Sequence, residues 1–304
     1  MSKTNKKEIS GLIPVLTTPI NSEGQFDADA QKRIVEYLVS KKIGGLWVLG
    51  TGSEDMNLTF SQRVEIAQTV VETVNNRVPI LLGASFFASK DILDFIKETQ
   101  HLNIEGYHAM VYHHLLGPDS VDWFYREVAD NSHKPIWLYS SANYGRMLTP
   151  DIVDKLKKYP NIAGIKYSTK NIHDIANVAR MADKTNFQII SAVAGIMYSC
   201  LSLGVKAHTT SLGSCLPDPL IEIIELFKAG KQKEALNKQM EFNSFLGCFP
   251  KRLRIENFFQ AAEEKFILQL RGLCNEYTTS YYQGLTDQEK SIIQEALEQY
   301  SYLD

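Results

Sequence analysis

Eight short apolar runs, each followed by a longer amphipathic stretch, constrain what this chain can fold into more than any other feature. They are GLIPVLTT (Gly11–Thr18), GLWVLG (Gly45–Gly50), PILLGAS (Pro79–Ser85) and GYHAMVY (Gly106–Tyr112), then PIWLYS (Pro135–Ser140), IAGIKYS (Ile162–Ser168), FQIISAV (Phe187–Val193) and KAHTTSL (Lys206–Leu212). Most are continuously apolar, as expected of parallel strands covered by helices on both faces. The last run carries the weakest signal, because Thr and His dominate it. Helix starts fall between the runs. Thr59-Phe60-Ser61-Gln62 has capping-box spacing and predicts a helix through Asn75, and Thr149-Pro150 places a cap residue before proline at a first helical position. Ser89, Asp119 and Asp218 stand where further helices should begin, and Gly204 and Gly230 where two should stop.

Eight strand–helix units in succession favour a closed α/β architecture, the (β/α)8 TIM barrel. A doubly wound open sheet would carry a glycine-rich turn after its first strand, whereas this strand runs into Thr17-Thr18-Pro19-Ile20. After about Gly230 no strand is expected, and segments 229–247, 261–274 and 286–300 read as helices. The expected organisation is a barrel carrying the active site over residues 1–230 and a small helical extension over 231–304. A length of 304 residues with 44% hydrophobic content suits one large barrel.

With 32 basic and 35 acidic side chains, the net charge of −3 gives no electrostatic reason to expect nucleic acid or an anionic membrane as partner. No window reaches the apolar length of a membrane helix, and MSKTNKKEIS at the start is basic without a following apolar segment, unlike a secretory signal. Cys200, Cys215, Cys248 and Cys274 show no CxxC spacing, so reduced thiols of a soluble cytoplasmic protein are expected.

Barrel enzymes carry reactive groups at the C-terminal ends of their strands. By that filter Lys166 is the sharpest anomaly: an amine inside the apolar run Ile162-Ala163-Gly164-Ile165. Period-two alternation puts it on one face with Ile162 and Gly164. If that face is the barrel interior, desolvation lowers the amine's pKa and leaves a nucleophile able to attack a carbonyl. The plainer alternative is a strand-end lysine that snorkels to solvent or pairs with a carboxylate. Tyr139, at the end of the neighbouring strand, could relay the protons that imine formation requires, although a lone strand-end tyrosine is more often a packing residue. Thr51 is the candidate hydroxyl partner of that tyrosine, and the small residues of Thr51-Gly52-Ser53 would let backbone N–H groups approach a carboxylate.

These residues carry a resemblance. Gly50-Thr51-Gly52-Ser53-Glu54 with Leu58-Thr59, then Leu138-Tyr139, then Ile162-Ala163-Gly164-Ile165-Lys166-Tyr167-Ser168 stand in the order seen in the dihydrodipicolinate synthase / N-acetylneuraminate lyase family, the pyruvate-dependent class I aldolases. The chain resembles that family from Gly11-Leu12-Ile13-Pro14 to Leu285-Thr286-Asp287-Gln288-Glu289. The resemblance implies a barrel with C-terminal helices, assembled as a homotetramer of tight dimers and needing no cofactor. It implies Lys166 as the Schiff-base lysine, Tyr139 as proton relay, Thr51 as the tyrosine's partner, Gly52 and Ser53 as contacts for a keto acid's carboxylate, and Glu54 as a structural tie on the loop.

The chain departs from the synthases in three places. Its loop reads Gly-Thr-Gly-Ser-Glu in place of Gly-Thr-Thr-Gly-Glu. After Tyr139 come Ser140-Ser141-Ala142-Asn143-Tyr144, without the proline and arginine that the synthases place there, and Arg146 lies two residues on. The tyrosine that the family contributes across the dimer aligns with His113, with Tyr112 adjacent.

Adjacent histidines such as His113-His114 point to opposite sides of a strand and have no metal-ligand spacing nearby, so second-substrate contact fits them better than zinc. His208 could face the interior or the helix layer, and Thr209 with its neighbours Thr210 and Ser211 could contact substrate hydroxyls. Gly195 and Gly213-Ser214 lack close basic residues, which favours an unphosphorylated substrate. Lys251-Arg252-Leu253-Arg254 reads as a solvated helix face. The expected function is a Schiff-base carbon–carbon lyase or dehydratase acting on pyruvate or a sugar-derived 2-keto acid, with an aldehyde as possible second partner. The alternatives are an authentic 4-hydroxy-tetrahydrodipicolinate synthase, a silent acid-binding family member and a zinc-dependent aldolase.

Overall fold

The computed structural model describes residues 8–182, 187–256, 261–279 and 283–303. Residues 1–7, most of the stretch read above as unlike a secretory signal, lie outside the described residues. All eight apolar runs contain a strand: β1 (Gly11–Pro14), β2 (Leu46–Val48), β3 (Ile80–Gly83), β4 (Gly106–Met110), β5 (Ile136–Ser141), β6 (Ile162–Ser168), β7 (Gln188–Ala192) and β8 (Ala207–Thr210). Every pairing is parallel, in the order β1-β8-β7-β6-β5-β4-β3-β2. A parallel bridge between Val15 and Trp47 and the bond from Leu16 N to the Trp47 carbonyl, 2.9 Å, bring β1 against β2 and close the barrel. Closure leaves no edge open among the eight described strands.

Two apolar layers follow from strand alternation. Ile13, Val15, Trp47, Leu81, Met110, Trp137, Tyr139 and Ile190 fill the interior, while the larger cluster lies between the strands and the surrounding helices. Large side chains inside require small ones opposite. A Cβ on Gly164 would lie 2.5 Å from the Trp137 ring, so β6 carries glycine where β5 carries tryptophan. The parity argument for Lys166 therefore holds through Gly164 but not through Ile162. The register between β5 and β6 shifts after the Ile136–Ile162 pair, which puts Ile162 in the outer layer and Ala163 in the inner one.

The helix Phe60–Val74 has the expected capping box at Thr59 and Gln62 and ends on Asn75 in the left-handed conformation. Ser89, Asp119 and Asp218 do mark helix starts, but from inside the first turn: Ala88, Gly117 and Leu216 hold the cap positions. Gly204 and Gly230 follow two helices with φ of +84° and +76°, where a side chain would be strained. Beyond residue 230 lie the helices Gln232–Gly247, Ala261–Leu270 and Asp287–Gln299 and a π-helical turn, Arg252–Glu256. The basic cluster there is not a solvated face. Arg252 pairs with Glu289 at 2.6 Å, and Arg254 pairs with the buried Glu263, so it ties the tail helices together. Among the described residues no helix is long and apolar enough to cross a membrane, and the four cysteines are free.

Candidate active site

At the C-terminal mouth of the barrel, β5 and β6 run in register with Tyr139 beside Lys166. Lys166 Nζ donates to Tyr139 Oη at 3.0 Å. Tyr139 Oη in turn shares a hydrogen bond with Thr51 Oγ1 at 2.7 Å. The amine also lies 4.2 Å from the centre of the Tyr139 ring and 4.9 Å from that of Trp47. Lys166 is only 4% exposed, which excludes both snorkelling to solvent and a solvated strand end. Burial pushes its pKa down from 10.5 to about 7, against an upward pull from Asp55. Near pH 7 about half of the molecules then carry a neutral amine, compared with roughly one in three thousand for an ordinary lysine. Burial moves Tyr139 the other way, far above the usual phenol range, although Thr51 opposes the shift. At neutral pH a large share of the molecules therefore present a free amine beside an intact phenol.

The loop that brings Thr51 to this point is a 3-10 turn, Thr51–Ser53, followed by Glu54 with φ of 59°. Gly52 packs so closely on Ser211 that a Cβ would meet its side chain at 2.8 Å. Ser53 is buried, and its hydroxyl donates to the Leu16 carbonyl while its N–H donates to the Gly50 carbonyl. As placed, Ser53 anchors the loop. Glu54 accepts from Thr279 N at 2.7 Å and pairs with the buried Lys265 at 2.5 Å, which ties the loop to the C-terminal helices.

The other sequence candidates are spread wider. Tyr112 is buried and donates to Asp55 Oδ2 at 2.7 Å, while its ring stacks on Phe87. His113 and His114 are exposed on the loop after β4. Arg146 donates to the His114 carbonyl at 3.4 Å. Thr209 is fully buried, with its Oγ1 lacking a hydrogen-bond partner among the described residues. His208 belongs to the helix layer: it pairs in register with Leu12 and Ser191, and its Nδ1 meets Ser191 Oγ at 2.9 Å.

Three groups escaped the sequence reading. His108 stacks on Trp47 with ring centres 3.9 Å apart, and its Nε2 lies 2.9 Å from the Val48 carbonyl. A carbonyl only accepts, so that nitrogen carries the proton and Nδ1 is left as an acceptor. Burial drives its pKa well below 6.5 and keeps the ring neutral. Asp55 is buried immediately after the active-site loop, and Arg63, in the first turn of the capped helix, donates to the carbonyls of Asp55 and Ser85. His108 could have been found by the parity that singled out Lys166, since it shares a strand face with Met110. Asp55 left no such trace in the sequence.

Strain marks the same rim. Leu49, Glu54 and Val193, just beyond β2, in the loop after it and just beyond β7, all have positive φ. Val193, at φ 86° and ψ 92°, is the costliest because its side chain is β-branched.

The sequence profile of the dihydrodipicolinate synthetase family matches residues 8–300. A probable 2-dehydro-3-deoxy-D-pentonate aldolase of Escherichia coli K12 is 25% identical over 241 residues, 77% of this chain and 80% of the relative. A 4-hydroxy-tetrahydrodipicolinate synthase of Oceanobacillus iheyensis is 24% identical over 228 residues, 74% of this chain and 77% of the relative. The fold matches that of YagE, a prophage protein of the dihydrodipicolinic acid synthase family from E. coli K12 solved with pyruvate, with a TM-score of 0.88 at 20% identity, over 96% of this chain and 99% of that one. A barrel of eight parallel strands, with its motifs in the family's order and a profile match over almost all of its length, identifies the chain as a lyase belonging to the dihydrodipicolinate synthetase family.

Proposed function

We propose that the chain is a class I, Schiff-base carbon–carbon lyase or dehydratase that acts on pyruvate or on a sugar-derived 2-keto acid. Lys166 is the nucleophile, and Tyr139 with Thr51 is the proton relay. One observation carries this reading: a buried amine with a strongly lowered pKa 3.0 Å from a phenol, with no carboxylate hydrogen-bonded to it among the described residues. In cleavage, Lys166 Nζ attacks the C2 carbonyl, the carbonyl oxygen departs as water, and an iminium remains. The C3–C4 electron pair then flows into the iminium as the C4 hydroxyl gives up its proton and an aldehyde leaves. Protonation at C3 and hydrolysis release pyruvate and the free amine. Because burial keeps Tyr139 protonated, it takes up a proton only while passing its own onward, and Thr51 Oγ1 at 2.7 Å is placed to accept that proton as it releases its own to water. This chemistry needs no metal or other cofactor, because the iminium is the electron sink.

The keto acid's carboxylate is assigned to the turn at Gly52 and Ser53; with the Ser53 hydroxyl and N–H bonded to the Leu16 and Gly50 carbonyls, the contact falls to the Gly52 backbone. Tyr112, His113 and Thr209 are assigned to the rest of the substrate. The division at residue 230, a cytoplasmic location and a homotetramer belong to the same reading. Exposed Met56, Phe87 and Leu115 around the mouth, with Trp123 beyond them, support burial of this face against another subunit. Arg146, tethered to His114, is the available substitute for the missing family arginine, and its distance along the chain favours sugar-acid cleavage over dihydrodipicolinate synthesis. A panel of keto-deoxy sugar acids assayed for pyruvate release, beside condensation of pyruvate with aspartate semialdehyde, tests this. Pyruvate release from a sugar acid is expected. Efficient condensation without release would assign the chain to the synthases instead.

A further inference from the structure

The Schiff base reacts as its protonated, cationic iminium, and the pocket that makes Lys166 neutral is hostile to that cation for the same reason. The structure places one carboxylate where it can offset that cost. Asp55 is 1% exposed, begins the 3-10 turn Asp55–Asn57 directly after Glu54, and accepts from Tyr112 at 2.7 Å through Oδ2. Its Oδ1 is buried without a hydrogen-bond partner among the described residues. Tyr112 belongs to the same interior cluster as Tyr139, so this carboxylate hangs from the interior cluster and not from the outer surface, near enough to act on both Lys166 and Tyr139. We propose that Asp55 is the counter-ion of the Lys166 iminium, a positioning residue that stabilises the covalent intermediate through space. The proposal rests on the Schiff-base reading above.

The surrounding charges are consistent with this role. Arg63 acts on Asp55 from the capped helix and favours its ionised form, as do the Tyr112 hydroxyl, the Met56 N–H and Lys166, all opposing the burial that raises its pKa. Tyr139, on β5, also feels Asp55. The titratable groups coupled electrostatically to Lys166 among the described residues are Asp55 and two histidines, His108 beside Trp47 and His208 in the helix layer, both kept neutral by burial. Asp55 is therefore the group that favours a positive nitrogen there. A negative charge cannot distinguish ammonium from iminium, so it stabilises both by nearly the same amount.

That equality supplies the test. Asp55→Asn keeps an acceptor for Tyr112 and nearly the same volume but removes the charge. Trapping of pyruvate by borohydride is measured against pH and pyruvate concentration in the wild type and the variant. The acid limb should move to lower pH by about one unit, and half-saturation at pH 8 should need about tenfold more pyruvate. A weaker half-saturation with an unmoved limb would make Asp55 merely structural and overturn the proposal, as would a limb moving to higher pH or no change in either quantity. If Asp55→Asn fails to fold, Tyr112→Phe, which removes the carboxylate's donor, should shift the limb the same way by less; an unmoved limb overturns the proposal there too. Absence of trapping in the wild type would instead refute the Schiff-base reading itself.

Discussion

Lys166 and Lys265 are both buried, and they lie on two sides of one loop, yet their surroundings are opposite. Lys265 reaches from the C-terminal helix Ala261–Leu270 to the Glu54 carboxylate at 2.5 Å and donates to the Tyr277 carbonyl at 2.8 Å. Lys166 has a phenol for a partner, and its carboxylate, Asp55, acts only through space. The first arrangement fixes a charge and uses it as a strut; the second destabilises a charge and leaves an electron pair free. Burial alone therefore does not make a lysine reactive, and what decides is whether a carboxylate is in direct ionic contact with it.

The largest expected effect is the loss of covalent chemistry in Lys166→Met, with pyruvate release reduced to background in a folded protein. The same substitution at the two sites should then have opposite effects on stability, read by denaturant unfolding. For Lys166 the folded pKa lies below the unfolded one, so its penalty is fully present below pH 7 and is relieved as pH rises from about 7 toward 10.5. Lys166→Met should thus stabilise the fold, by up to about 5 kcal/mol at pH 6 and progressively less at higher pH. Lys265→Met strands Glu54 and should cost about 3–5 kcal/mol. Matching signs at the two positions would break the comparison. Tyr139→Phe should lower kcat about 10²–10⁴-fold with a much smaller change in the unfolding midpoint, since only Thr51 and Lys166 each lose one hydrogen bond. The smallest effect concerns the strained rim: Val193→Gly relieves a left-handed β-branched residue and should raise stability by about 1 kcal/mol, visible as a higher melting temperature.

Much of the comparison's first half was legible in the sequence. A strand covered on both faces advertises itself by continuous apolarity, so the eight runs located the barrel, and one lysine in such a run stood out against it. Tyr139 and Thr51 followed from the rule that barrel chemistry sits at strand ends. The second half was not legible, because it depends on contacts between residues distant in the chain. Nothing local in Ala261-Ala262-Glu263-Glu264-Lys265 says that this lysine crosses to Glu54, 211 positions away. The pairing of Arg252 and Arg254 with Glu289 and Glu263 was hidden in the same way, and a basic cluster therefore read as solvated. Asp55 looks like an ordinary loop acid until the chain turns at Glu54 and buries it. Ile162 was assigned to the wrong face because alternation assumes an unbroken register, and β6 has a shift.

The most direct test of the central claim is to incubate the protein with pyruvate, reduce it with borohydride and map the added mass by peptide mass spectrometry. The account predicts a single reduced pyruvate adduct on the peptide containing Lys166, absent from Lys166→Met. No adduct, or an adduct on Lys265 or a surface lysine with Lys166 unmodified, would contradict it.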